Sequence, residues 1–181
     1  RIMAKKILVL SSSARKGGNS DLLCDEFIRG AQESGNEVIK MQIRNLVIKD
    51  CLGCDGCRRN GGKCVQDDDM GEINEIILAS DVIVMGSPVY FYTFNAQMKA
   101  VIDRTYAIVS KLQDKTFCLI AACAAPEKSY SSTMIDCFRK YIGCFKNCKE
   151  GGIVFGYGTI KRGDVKDTPA MEEAYQMGKN I

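Results

Sequence analysis

The sequence predicts a doubly wound α/β sandwich, a parallel sheet with helices on both faces. Two observations carry this. Short apolar runs alternate five times with segments of helical periodicity, and several of those runs open into loops rich in Ser, Gly or Pro. Five β-α units joined by right-handed crossovers suggest the strand order 2-1-3-4-5, in which ligands bind outside the carboxyl ends of strands one and three. A chain of 181 residues fits one such domain over 1–181.

Lys6–Leu10 is an apolar run feeding the polar stretch Ser11–Asn19, and it reads as a buried strand. Ser20-Asp21 is the expected cap of a helix whose buried stripe is Leu22, Leu23, Phe27, Ile28 and Ala31, with Gly35-Asn36 as its stop. Glu37–Ile43 alternates as the second strand. The segment from about 44 to 69 then holds four cysteines and few signals of regular structure. Asp69 opens the next helix, with Glu72 as its capping-box partner and Ile73, Ile76 and Ile77 facing the core. Val82–Met85 is the third strand and ends at Gly86-Ser87-Pro88. A helix over Asn95–Ser110 follows, with Met98, Val101, Ile102 and Tyr106 on one face. Thr116–Ala122 is the fourth strand, Ser131–Ile142 a helix and Gly152–Tyr157 the fifth strand. Thr168-Pro169 starts a last helix that runs to near Lys179.

Composition narrows the function. Hydrophobic residues make up 46% and charged residues 26%, enough for a core and against disorder. The net charge of +3 is too small and too dispersed for a nucleic-acid footprint. With no histidine, the chain lacks a Ser-His-Asp or Cys-His nucleophile, a Cys₂His₂ finger and an imidazole-held haem. An enzyme of this composition leaves the difficult chemistry to a cofactor. Ten cysteines, about 6% of the chain, fall below the density of a disulfide scaffold. No signal peptide is read before the first strand, so a reducing cytoplasmic setting is expected. The longest apolar runs, Val82–Met85 and Cys118–Ala125, are far short of the ~20 residues of a membrane span. Arg1-Ile2 ahead of Met3 reads either as part of a longer natural terminus or as an addition to it.

The two switch-point loops are informative. Ser11-Ser12-Ser13-Ala14-Arg15-Lys16-Gly17-Gly18-Asn19-Ser20 brings hydroxyls, two cations and glycines to a helix N-terminus, which is what a phosphate monoester requires. It matches neither a Walker A loop nor Gly-x-Gly-x-x-Gly, and an ordinary polar loop is the plain alternative. Gly86-Ser87-Pro88-Val89-Tyr90-Phe91-Tyr92-Thr93 carries three consecutive aromatics that cannot all enter the core. A contact between subunits would explain them. A flat isoalloxazine lying on Pro88–Phe91 explains the aromatics and the phosphate loop together. A receiver domain would need acidic residues where this chain has Ser11–Ser13.

Cys51-x₂-Cys54-x₂-Cys57-x₆-Cys64 is the most specific motif in the chain. Three thiols at three-residue steps, with Gly53 and Gly56 between them and a fourth returning after a short excursion, suit a four-thiolate site. A [4Fe–4S] cluster and zinc both accept such ligands, and free thiols or a disulfide are also open. Cys24, Cys118 and Cys137 read as small buried hydrophobes. Cys144 and Cys148, beside Lys146 and Lys149, have no ligand partners close in sequence.

Ser13-x-Arg15 with Asn19-Ser20, then Gly86-Ser87-Pro88-Val89-Tyr90-Phe91, then Gln97-x-Lys99-x-x-Ile102-Asp103-Arg104, resemble the flavodoxin-like NAD(P)H-dependent FMN reductases, in particular their iron–sulfur flavoprotein branch. The resemblance covers nearly the whole chain. It implies a flavodoxin-like FMN-binding domain with a cysteine-rich insertion after strand two. It further implies FMN phosphate held by Ser11, Ser13, Arg15, Asn19 and Ser20, and the flavin ring held by Pro88, Val89, Tyr90 and Phe91. The Cys123–Lys128 loop would border the ring edge, with Cys123 beside the cofactor. In the cluster-binding branch, Cys51, Cys54, Cys57 and Cys64 would be the metal ligands, although the gap before Cys64 is one residue longer than in that branch. The activity implied is transfer of electrons from NAD(P)H through FMN to a quinone, flavin, nitro or azo compound or protein acceptor. The alternative is an electron carrier passing electrons between FMN, a [4Fe–4S] cluster and a ferredoxin-like partner. Such proteins form homodimers or larger homo-oligomers, and no side chain is expected to act as catalytic acid or base.

Overall fold

The chain runs β1 (Lys6–Ser11), α1 (Asn19–Glu33), β2 (Glu37–Gln42), α2 (Gly56–Arg59), α3 (Met70–Ala79), β3 (Val82–Tyr90), β4 (Thr93–Phe94), α4 (Ala96–Arg104), β5 (Thr116–Ala122), α5 (Ser132–Ile142), β6 (Lys149–Gly156) and α6 (Ala170–Asn180). These elements belong to a computed structural model that describes residues 3–181, so the Arg1-Ile2 pair lies outside the described residues. The parallel strands follow the order β2-β1-β3-β5-β6, and β4 pairs antiparallel with the end of β3. That is the doubly wound arrangement expected, with β1 and β3 adjacent at the switch point.

Two apolar layers flank the sheet. On one face, α1 and α6 cover Ile7, Val9, Val82, Val84, Cys118 and Ile120. On the other, α3, α4 and α5 cover Leu8, Leu10, Ile83, Met85, Phe117 and Leu119. The alternation along β1 and β3 thus sends successive side chains to opposite cores, which explains why both strands read as continuous apolar runs. Helices α1 and α6 approach through Gly30 and Gly178, where a side chain would collide with the Tyr175 and Phe27 carbonyls. Among the described residues, no helix is long and apolar enough to cross a membrane.

Several boundaries differ from expectation. Helix α1 begins at Asn19 with Gly18 as its cap, because the Asp21 carboxylate is occupied by Ser11 and the Gly17 amide instead of capping its own helix. The capping box at α3 does not form. Asp69 accepts from the Val47 amide at 2.6 Å, and Asp68 accepts from the Met70 amide at 3.2 Å, so the acidic pair fastens the loop before the helix. Strand β3 continues through Gly86-Ser87-Pro88 to Tyr90, since Ser87 and Pro88 pair with Ala121 and Ala122 on β5 while Val89 and Tyr90 pair with Phe94 and Thr93 on β4. The helix expected over 95–110 is α4 plus a 3₁₀ turn over Thr105–Ile108, where the Thr105 hydroxyl donates to the Ile102 carbonyl at 2.6 Å. Within the cysteine segment, the short helix α2 was not expected.

Candidate functional site

The carboxyl ends of β1, β3 and β5, together with the loop after β6, enclose a cleft of about 310 Å³. The loop after β1 forms its inner wall. The Ser12 amide and hydroxyl donate to the Gly86 carbonyl at 2.8 and 3.0 Å, and Asn95 Nδ2 donates to the Ser12 carbonyl at 2.7 Å. These bonds tie the loop to β3 and to the start of α4. Ser13 Oγ accepts from the Arg15 amide at 3.3 Å and donates to the Arg15 carbonyl at 3.0 Å, which curls the chain before α1. Gly17 sits at φ 62°, a left-handed turn that glycine adopts without strain. A side chain on Gly18 would collide with Ser13 Oγ, so only backbone fits there.

Behind this wall, Asp21 accepts from the Ser11 hydroxyl at 2.7 Å and from the Gly17 amide at 3.2 Å, and pairs with Lys40 at 2.7 Å. Burial opposes its ionisation. Lys40, Ser11 and Gly17 together outweigh that and hold the carboxyl below its ordinary value. A charged buttress therefore fixes the loop from below while its outer side faces the cleft.

Ser20 is the telling residue. Its side chain is buried on the cleft wall in the first turn of α1, and its hydroxyl has no hydrogen-bond partner. Leaving such a group unpaired costs about 1–3 kcal/mol, so the site calls for an acceptor from outside the chain. The first-turn amides of α1 point the same way. Arg15 lines the cleft and has no carboxylate partner among the described residues. An unpartnered hydroxyl, a guanidinium without a counter-charge and a helix N-terminus around a glycine cradle fit a phosphate group.

Of the ten residues expected to hold the cofactor, seven line this one cleft: Ser13, Arg15, Asn19, Ser20, Pro88, Val89 and Tyr90. Three do not. The Ser11 hydroxyl is turned away, fully buried against Asp21. Cys123 points into the core, with its amide donating to Gly156 and its carbonyl accepting from Thr159, and the flanking Ala122 and Ala124 face the cleft instead. Phe91 is 97% exposed at the tip of the β3–β4 hairpin. Phe91 and Tyr92 both take positive φ, 46° and 68°, the geometry of a tight two-residue turn at which neither residue type is comfortable. Tyr92 stacks on Tyr130 with centroids 5.6 Å apart. Asn19 lines the cleft, but its side-chain amide is spent on the loop after β6. That loop, entering through Thr159 and Ile160, was missed by sequence reasoning. The signal available was its position at the carboxyl end of a parallel strand, where ligand loops gather.

The four motif cysteines fare differently. Cys51 and Cys54 are exposed, while Cys57 and Cys64 are half-buried. Their donor chemistry suits a metal and their placement does not. Among the described residues no group of three or more His, Cys, Asp or Glu side chains is arranged to hold a metal ion. The segment is fastened at its base: Arg104, buried beneath it, donates to the Lys49 carbonyl at 2.7 Å and forms a bidentate pair with Asp68 at 2.7 and 2.8 Å. Burial opposes the Asp68 charge, but Arg104 and the Lys49 and Met70 amides hold its carboxyl below the usual range. Elsewhere, burial pushes the Cys24 and Cys118 thiols up to about 12, in keeping with their reading as small core residues, whereas Cys137, read the same way, lies exposed on the outer face of α5.

A phosphate cradle and an apolar strand ledge at the switch point of this fold define a class of nucleotide-cofactor protein, and sequence comparison supplies the family. Residues 5–135 match the NADPH-dependent FMN reductase family, and the chain belongs to it. It is 39% identical over 99 residues to an iron-sulfur flavoprotein of Archaeoglobus fulgidus, covering 55% of this chain and 44% of that one. It is 38% identical over 106 residues to an iron-sulfur flavoprotein of Methanosarcina thermophila, covering 59% and 55%. The chain thus spans about half the length of the curated relatives it matches. Among solved structures, an NAD(P)H:quinone oxidoreductase from Methanothermobacter marburgensis superposes with a TM-score of 0.80 at 14% identity, covering 98% of this chain and 96% of that one. An azoreductase from Bacillus anthracis gives 0.77 at 18% identity, covering 99% and 100%. At these identities the likeness is one of fold.

Proposed function

We propose that the protein is an FMN-dependent NAD(P)H oxidoreductase whose acceptor is a quinone, flavin, nitro or azo compound, or a partner protein. The observation that carries this reading is the buried, unpartnered Ser20 hydroxyl beside Arg15 at the N-terminus of α1, facing the Pro88–Tyr90 ledge across one cleft. Ser13, Arg15, Ser20 and the α1 amides would bind the phosphate, and Pro88, Val89 and Tyr90 would support the ring. FMN, when bound, supplies hydride acceptance from NAD(P)H and electron delivery to the acceptor. The protein's part is to bind, orient and exclude water. No side-chain acid or base is assigned, because the flavin would carry the chemistry. The bare Phe91 tip supports a ring end completed by a second copy of the chain, giving a homodimer or larger homo-oligomer.

Titration of the flavin-free protein with FMN tests the reading. One FMN should bind per chain, its absorbance should bleach on adding NAD(P)H, and Arg15→Ala should weaken FMN binding by about tenfold or more. Unchanged FMN affinity in that variant would sink the phosphate assignment. A second reading, an iron–sulfur electron carrier serving a ferredoxin-like protein, is favoured by the Cys51, Cys54, Cys57 and Cys64 spacing and by the names of the relatives. Iron and sulfide analysis of anaerobically purified protein decides it: about four iron per chain supports the carrier, and iron-free protein removes it.

A further inference from the structure

After β6 the chain does not run straight into α6. It makes a short excursion over Gly158–Gly163 that meets the N-terminus of α1 at Asn19 and lines the cleft through Thr159 and Ile160. We propose that this excursion is a phosphate clamp, in which Arg162 provides a second guanidinium for the cofactor phosphate and Asn19 is the positioning residue that fixes the clamp in place. The proposal rests on the reading of the cleft as an FMN site.

The loop is held at several points. Asn19 Nδ2 donates to the Lys161 carbonyl at 2.9 Å, while its Oδ1 accepts from the Gly163 and Val165 amides at 2.9 and 3.3 Å. One side chain at the mouth of α1 therefore secures both limbs of the loop. From within the loop, the Asp164 carboxylate accepts from the Ile160 and Lys161 amides at 3.0 and 2.7 Å. At its entry, the Thr159 hydroxyl donates to the Gly156 carbonyl at 3.0 Å. Arg15 adds a longer bond to the Ile160 carbonyl at 3.4 Å.

This fixed loop carries Arg162 to the cradle. A Cβ built on Gly17 would lie 3.3 Å from Arg162 Nη2, so the guanidinium rests against the backbone of the phosphate loop itself. The carboxylates nearby in the fold are already engaged: Asp21 by Lys40, Ser11 and Gly17, and Asp164 by its own loop amides. Among the described residues Arg162 makes no ion pair. Two guanidiniums without a carboxylate partner thus flank the loop after β1, Arg15 on the cleft wall and Arg162 against Gly17, beside a buried Ser20 hydroxyl that lacks a partner. A phosphate monoester has its second pKa near 6 and is close to a dianion at neutral pH. A single arginine leaves about half of that charge unmatched. The second one supplies the balance and, being planar, can share the oxygens in fork geometry.

The test compares FMN with riboflavin, which carries the same ring and no phosphate, by quenching of flavin fluorescence on the full-length flavin-free protein. Wild-type protein should prefer FMN. Arg162→Ala should weaken FMN by about tenfold or more while leaving riboflavin affinity unchanged. Asn19→Ala should lose a similar part of that preference, and the double variant should lose little beyond either single one, because Asn19 acts through the loop. A wild-type preference for FMN that Arg162→Ala retains overturns the clamp and leaves the cofactor reading intact. Equal weakening of both flavins in Arg162→Ala also overturns it. Wild-type protein that binds neither flavin overturns the cofactor reading and the clamp with it.

Discussion

The loop after β1 and the cysteine segment after β2 are both polar, glycine-containing stretches next to the same end of the sheet, yet the structure treats them in opposite ways. In the first, bonds among backbone and buried side chains hold the loop at several points. Ser12 is pinned to Gly86, Ser13 curls the turn, and Asp21 holds Gly17 from behind. The donors that remain are aimed into one cleft before any ligand arrives. In the second, the fixed points lie at the base, in Asp68, Asp69 and Arg104. Of the thiols, Cys51 and Cys54 ride on exposed turns around Gly53 and Asp55, at φ 62° and 54°, while Cys57 and Cys64 are half-buried. The contrast teaches that a binding loop is preorganised when its own polar groups consume one another, and that a ligand motif without such bonds has residue types in place but not geometry.

Five measurements press on that contrast. The largest effect is expected at its base. Asp68→Asn leaves the Arg104 guanidinium, 1% exposed, without its counter-charge and should destabilise the fold by about 3–5 kcal/mol in denaturant unfolding. The same pair sets a pH dependence. Because the Asp68 carboxyl is held below its unfolded value of about 3.9, its stabilisation is complete above that pH and is lost as pH falls through the lower folded value. Wild-type stability should therefore drop on acidification more steeply than that of Asp68→Asn, and parallel profiles would remove the buried pair from the account.

A smaller effect belongs to the hairpin. Phe91→Gly relieves a left-handed conformation that costs a residue with a side chain about 1 kcal/mol, so the variant should melt slightly higher if the exposed ring makes no compensating contact. A lower melting temperature, together with a smaller assembly by light scattering, would instead tie Phe91 to an interface. Smaller still should be the effect of replacing Cys51, Cys54, Cys57 and Cys64 together by serine. Exposed or half-buried thiols contribute little packing, and the change in metal-free protein should stay within about 0.5 kcal/mol with FMN affinity unaltered. Loss of FMN binding would show that the two regions are one site. Finally, thiol labelling of the native protein should reach Cys51 and Cys54 readily. Cys24 and Cys118, buried and with thiols pushed up to about 12, should react only on unfolding.

The sequence by itself determined the sheet and the cradle. Short apolar runs such as Val82–Met85, bounded by turn residues and alternating with helical segments, point to strands buried on both faces, and five such units suit the order 2-1-3-4-5. Ser13 and Gly17 shape the loop after β1 through local backbone geometry, so that turn is legible within a ten-residue window. Tertiary structure decided what depends on partners distant in sequence. Asn19 looked like a ligand and became a clasp, because the amides of Gly163 and Val165 reach it from the far end of the chain. Ser11 looked free and was taken by Asp21, whose own charge is fixed by Lys40 on the neighbouring strand. The extension of β3 through Ser87 and Pro88 came from pairing with β5, which no local propensity records, and its last two residues are held by the β4 hairpin. A side chain's capacity to hydrogen-bond is written in the sequence; which partner consumes it is settled only when the chain closes on itself.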